Sequence, residues 1–362
     1  MIDRLMQEPI VSVDTESNSL YAYHERVCLV QFSIPGQDYL LDPLAVQNLD
    51  ALGSLFAEPK IEKVFHAAEY DVMVLHRDYG FAFAGLFDTM WASRIVGWKK
   101  YGLGNLLKRH FDIRTDKRMQ RTNWGKRPLS DEQLAYAQLD THFLLPLRQM
   151  LLSELQTQNR MQEARLAFER VAQSRWSKKE FDPNGFWSLK GAHDLDEPGL
   201  AVLAALYVFR EQRAQRLDRP PFKVLSRQAL INLSRSRPQS LDELKHIKGV
   251  PRRLSIKNRK KLLEIIAKNM HHPPPQEPTT HPPRRYNGVV EARYQALRGW
   301  RKDRSEKRGV EPDVILSNHV LHQLARLNPT SLEKLSSMDL LGDWERQEYG
   351  QEIVAVLRKS LA

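Results

Sequence analysis

The chain has 362 residues, with 55 Lys or Arg against 44 Asp or Glu and a formal net charge of +11. That length divides into two or three domains, each able to bury its own core, and 41% hydrophobic against 27% charged residues excludes a chain disordered throughout. The single cysteine, Cys28, excludes an internal disulfide and a cysteine-rich zinc site, and the longest apolar run, Leu200 to Phe209, is far shorter than a membrane span.

In chain order, Ile10–Val13, Val27–Phe32 and Tyr39–Leu41 are β-branched or apolar runs bounded by polar and turn residues, hence strands. Lys60–Phe65 reads as a fourth strand, between helix-like stretches near 47–57 and 69–79. The order implies an α/β domain with a mixed sheet that begins as a meander. From Asp88 onward the pattern is helical. Ser130 followed by Gln133 is a capping box that opens a helix running through Tyr136, Asp140 and Leu144 to Leu151, with Pro146 placed to kink or break it.

Beyond this domain, 221–244 and 312–335 align without gaps at an offset of 91 and match at ten of twenty-four positions, Pro221/Pro312 and Leu244/Leu335 among them. Each copy has a basic helix before it and a helical tail after it, so they read as tandem small helical domains. Between them, 271–283 holds six prolines in thirteen residues, a stiff extended linker. The expected division is 1–190, 195–270, a linker over 271–285, and 286–362. Charge follows it: 1–190 carries 24 cations and 24 anions, 191–275 carries 17 against 8, and 276–362 carries 14 against 12. The +11 is concentrated in the first repeat, where a polyanion would be gripped.

Three short motifs carry the chemistry. Asp14 and Glu16 lie two apart beyond the first strand and project from one face. Alone, such a pair is commonly a solvated strand end. Asp71 follows His66 at a strand-to-helix transition, where it would also serve merely as a first-turn carboxylate. Tyr136 and Asp140 are four apart on a helix and share a face. Together the four carboxylates suit hard divalent cations with oxygen ligands, Mg²⁺ or Mn²⁺. Two such ions would clamp the attacking and leaving oxygens of an in-line phosphoryl displacement, with a nearby tyrosine orienting the water or taking its proton. Asp88 reads as a helix cap, His142 as structural, and Gly102–Asn105 as a turn that starts a helix.

Asp14-Thr15-Glu16, the segment Phe65 to Asp71 and the segment Tyr136 to Asp140 resemble the three motifs of the DEDDy 3′→5′ exonucleases. Asn123 to Ser130 and Phe87 to Met90 resemble the ribonuclease D family specifically, and the tandem repeats resemble the helicase-and-RNase-D C-terminal (HRDC) domains. The resemblance implies a ribonuclease-H-like α/β exonuclease domain followed by two small all-α HRDC-like domains. It further implies two-metal hydrolysis of RNA from the 3′ end to 5′-mononucleotides, on structured RNAs such as tRNA precursors. Asp14, Glu16, Asp71 and Asp140 become metal ligands, and Tyr136 the water-orienting residue. His66 stands where proofreading DNA exonucleases usually carry Asn, which argues against a proofreading role.

Substrate contacts are expected from Thr15 and His66, from Arg118 and Trp124 in the basic segment beside the third motif, and from Arg252, Arg253 and Lys257 in a run with six cations in ten residues. The protein is expected to be cytoplasmic and monomeric, with RNA as its partner and no membrane or disulfide-linked partner. A DNA exonuclease and a non-catalytic RNA-binding scaffold are the alternatives.

Overall fold

The computed structural model describes residues 1–177, 180–251, 254–277 and 288–360. They form two compact units: Met1–Glu16 with Val27–Trp176 and Pro283–Ala362, and Ser17–Arg26 with Ser177–Pro282.

The first unit is built on a five-stranded sheet in the order β3-β2-β1-β4-β5. After a short helix α1 (Ile2–Leu5) come β1 (Ile10–Ser17), β2 (Val27–Ile34) and β3 (Gln37–Leu41). Every residue of β2 is buried, as expected of a strand covered on both faces. It pairs antiparallel with β3 across a tight turn in which Gly36 takes φ +77°, a value that favours glycine. Helix α2 (Asp50–Ala57) leads to β4 (Glu62–Phe65), and α3 (Glu69–Tyr79) leads to β5 (Leu86–Asp88); β4 pairs parallel with both β1 and β5. The sheet is therefore mixed, as the sequence implied. Its fifth strand was missed because three residues are too few to show alternation.

Helices α4 (Thr89–Ile95), α5 (Leu103–Phe111), α6 (Asp131–His142), α7 (Leu144–Thr157) and α8 (Met161–Ala172) complete the nuclease part. The capping box is formed: Ser130 Oγ accepts from Gln133 N and the Gln133 side chain accepts from Ser130 N. The expected single long helix is broken at Phe143, three residues before Pro146. Proline is thus in the first turn of α7, where its missing N–H leaves no intrahelical bond unmade.

The two repeats have the same plan. The first runs α9 (Glu197–Leu217), α10 (Pro221–Val224), α11 (Arg227–Ser236), α12 (Leu241–His246) and α13 (Ile256–Asn269); the second runs α14 (Gly288–Arg308), α15 (Pro312–Ile315), α16 (Asn318–Leu327), α17 (Leu332–Ser336) and α18 (Asp343–Lys359). Matching serines cap matching helices, Ser226 with Ser317 and Ser240 with Ser331. Arg237 and Asn328 occupy the same left-handed helix end, at φ +42° and +48°. The copies differ in what they pack against. Leu297, Leu324 and Ile353 of the second belong to one continuous apolar core with Leu151, Leu155 and Phe168 of the nuclease part. The first copy has its own core, including Val202, Leu230 and Ile266. To it is fastened the β1–β2 loop: the Tyr23 phenol meets Glu211, and the amides of Tyr23 and His24 both donate to Asp218 Oδ1 at 3.0 Å.

Candidate active site

β1 continues through Ser17, so Asp14 and Glu16 are alternate residues of a regular strand and share its face. Asp140 approaches them from α6, and one carboxylate oxygen from each of the three lies within 4.8 Å of the others. Asp71, in the first turn of α3, accepts a short hydrogen bond from Thr15 Oγ1, which ties the third carboxylate-bearing element to β1. Thr15 thereby acts within the cluster, on Asp71. The four acids line a cleft of about 480 Å³ together with His66, Tyr136, Gly102–Asn105, Lys117 and Gln120.

Concentrating four acids has an electrostatic cost. Asp71 and Asp140 are each only 7% exposed, and burial holds both carboxyls up to about 7, helped by the charge of Asp88 at Asp71 and by that of Asp71 at Asp140. Glu16 is pushed up to about 9 by burial first, then by Asp140 and Asp71; Asp14 is raised well above the carboxylate range by burial and by all three neighbours. Such a cluster is fully ionised at neutral pH only beside positive charge. All four donors are hard oxygens, which fits Mg²⁺ or Mn²⁺ and not a thiophilic ion.

The turn before α3 is fixed by Asp88. As the cap of α4 it accepts from Met90 N and Trp91 N, at 2.8 and 3.1 Å, and also from Ala67 N and Ala68 N, at 3.2 and 2.8 Å. This holds Ala67 at φ +62° and sets where His66 and Asp71 point. The capping role expected for Asp88 is met, and the same carboxylate organises the second motif. Thr89 Oγ1 donates to Phe65 O at 2.9 Å, so the 2.9 Å contact with His66 Nδ1 requires the imidazole to donate. Burial lowers the His66 pKa to about 4, leaving a neutral ring whose Nε2 is an acceptor.

Tyr136 is 7% exposed, and burial with the charges of Asp140 and Glu16 keeps its phenol protonated well above neutral pH. Behind it lies Trp124, 1% exposed, with ring centroids 6.3 Å apart and with Cys28 and Ala137 in the same small core. The substrate contact expected from Trp124 is corrected: its indole is buried and forms a wall for Tyr136 instead of a platform for a base. Arg127 locks that wall by a two-toothed pair with Asp42, at 2.6 and 2.7 Å, and by bonds to Cys28 O and Trp124 O at 2.7 Å. Arg118 is 86% exposed, paired with Asp116 and not in the lining of the cleft. The basic segment does reach the site, through Lys117 and Gln120, because the 3₁₀ turn Met119–Arg121 decides which side chains face inward. Gly102–Asn105 starts α5 as expected and also forms a cleft wall, a role that lay hidden in an apparently ordinary turn. His142 pairs with Asp38 at 2.9 Å, in keeping with a structural role. Lys257 is exposed in the first turn of α13, whereas Arg252 and Arg253 lie outside the described residues.

No helix among the described residues is long and apolar enough to cross a membrane. Residues 1–156 match the 3′-5′ exonuclease family model, and 199–266 and 290–357 each match the HRDC domain. The chain is 30% identical to ribonuclease D of Gluconacetobacter diazotrophicus, over 98% of this chain and 89% of that protein. Among solved structures, the catalytic core of RRP6 from Trypanosoma brucei superposes with a TM-score of 0.67 at 27% identity, covering 74% of this chain and 76% of that one. RNase D of Escherichia coli, an exoribonuclease involved in structured RNA processing, shares the fold over 99% of this chain and 95% of its own, with a TM-score of 0.63 and 23% identity. With a four-acid cleft inside the exonuclease match and two HRDC repeats following it in the sequence, the chain belongs to the ribonuclease D family, the metal-dependent 3′→5′ exoribonucleases.

Proposed function

We propose that Asp14, Glu16, Asp71 and Asp140 hold two divalent ions, Mg²⁺ or Mn²⁺, and that the cleft removes 5′-mononucleotides from the 3′ ends of structured RNAs, tRNA precursors among them. The observation that carries this is the convergence of Asp14, Glu16 and Asp140 within 4.8 Å, with Asp71 bound to the same strand through Thr15. When bound, the ions supply Lewis-acid activation and charge neutralisation for phosphoryl displacement. In the net reaction a water oxygen bonds to phosphorus, the bond from phosphorus to the 3′-oxygen breaks, and a proton ends on that oxygen.

The residues of the chain set the geometry. Tyr136, protonated at neutral pH, orients the water and is not itself the base. Thr15 fixes the Asp71 carboxylate, and Asp88 fixes the turn that aims His66 and Asp71. The neutral His66 ring contributes an acceptor to the substrate side of the cleft. Lys257, Arg252 and Arg253 belong to the strongly basic first repeat and supply contacts to RNA phosphates. In this reading the protein acts as a cytoplasmic monomer, with 1–190 cleaving and 195–270 and 286–362 as HRDC-like domains joined across 271–285.

The test is digestion of matched RNA and DNA oligonucleotides with free 3′ ends in Mn²⁺. Stepwise release of 5′-mononucleotides from RNA, abolished by Asp14→Asn, is expected. Preference for DNA would establish the DNA exonuclease reading, and binding without cleavage the scaffold reading.

A further inference from the structure

The second repeat does more than share a core with the nuclease part. Its residue Glu311, just before α15, accepts a hydrogen bond from the phenol of Tyr101 at 2.9 Å. Tyr101 immediately precedes Gly102–Asn105, the wall of the catalytic cleft. Gly102 starts α5 without a side-chain cap, so local capping does not pin the wall at its first residue.

A second tie runs beside the first. Arg94 donates to Asp313 Oδ2 at 2.5 Å and reaches Glu311 at 3.5 Å. Its guanidinium lies 4.6 Å from the centre of the Trp91 ring and 5.2 Å from that of Tyr101. Surface ion pairs are ordinarily weak. This one differs because Arg94 is only 8% exposed, so removing its partners would leave a buried cation. Next to it the two backbones abut: a Cβ on Gly97 would come within 2.7 Å of Gly309 O, and Gly97 takes φ +86°.

We propose that the second HRDC repeat is a working part of the catalytic cleft, with Glu311 holding Tyr101, and through it the 102–105 wall, in place for the 3′-terminal nucleotide. Tyr101, Arg94 and Glu311 are positioning residues that act through that wall. The proposal rests on the cleft being catalytic, and the two fail differently. Activity surviving in Asp14→Asn would refute the cleft, whereas an inactive Asp14→Asn with an unmoved wall effect would refute only the positioning.

The experiment uses the full chain and a short single-stranded oligoribonucleotide. Tyr101→Phe removes one hydroxyl, and Glu311→Ala removes its acceptor. Each is expected to raise KM about three- to tenfold, the range of one net hydrogen bond, with kcat within about twofold. The double variant should equal either single one, and Glu311→Gln, which keeps an acceptor oxygen, should restore the KM of the unaltered protein. Tyr101→Phe leaves the Arg94 pair intact and so serves if Glu311→Ala misfolds. An unchanged KM in Tyr101→Phe would overturn the proposal, as would additive effects in the double variant or a loss confined to thermal stability.

Discussion

The electrostatic cost of the acidic cluster can be measured by replacing Asp140 with Asn. In the folded metal-free protein this carboxyl is held at about 7, against an ordinary 3.8. A raised folded pKa means that the fold favours the protonated form. The stability it contributes is complete below pH 3.8 and is lost as the pH rises through about 7. Full ionisation corresponds to a ceiling of about 4 kcal/mol, at about 1.4 kcal/mol for each tenfold change in the proton equilibrium. Asp71, coupled to the same site and also held at about 7, can take up protons in place of Asp140, so the expected net effect is about 1–3 kcal/mol. Asn carries no charge at any of these pH values. Thermal unfolding in EDTA should therefore show Asp140→Asn nearest the unaltered protein below about pH 4, with its advantage growing as the pH rises from there. Near about pH 8.5 it should be more stable, by roughly 3–8 °C for a unit of this size. Adding Mn²⁺ should reverse the order, because only the complete cluster gains the full binding free energy. A difference in Tm that does not change with pH in EDTA would refute the reasoning, since the pH dependence comes from burying an ionised carboxylate, beside Asp71, in this cluster.

Trp124→Ala should destabilise by about 3–5 kcal/mol, with no specific rise in KM, because the indole is buried packing and not a base platform; a raised KM with normal stability would restore the stacking role. Tyr136→Phe should lower kcat about a hundredfold or more while leaving KM near its original value, as read by initial rates across RNA concentration. Lys257→Gln with Lys260→Gln should make the slope of log K against log salt for RNA binding shallower, by about 0.7 for each phosphate no longer neutralised. An unchanged slope would place the grip elsewhere.

The readable features of the sequence were those with a local physical signature. Short β-branched and apolar runs bounded by polar and turn residues exposed β1 and β2, the Ser130 to Gln133 spacing exposed the start of α6, and a constant offset of 91 exposed the repeats. The four acids were identifiable because three short motifs, each ambiguous alone, occur together in the order of the exonuclease motifs they resemble. Trp124 went wrong for the opposite reason. In an irregular segment, composition does not say which side chain turns inward, and the residues of this segment that line the cleft are Lys117 and Gln120, beside the 3₁₀ turn at Met119–Arg121. The double duty of Asp88 and the tie from Glu311 to Tyr101 join residues 21 and 210 positions apart, so neither left a pattern in any local stretch of sequence.

The central claim is that these four carboxylates form one site for divalent ions. Mn²⁺ titration followed by electron paramagnetic resonance counts those ions directly. Two tightly bound ions per chain, with at least one lost in Asp140→Asn while the fold is retained, is the expected result. Equal Mn²⁺ binding by the two proteins would contradict it.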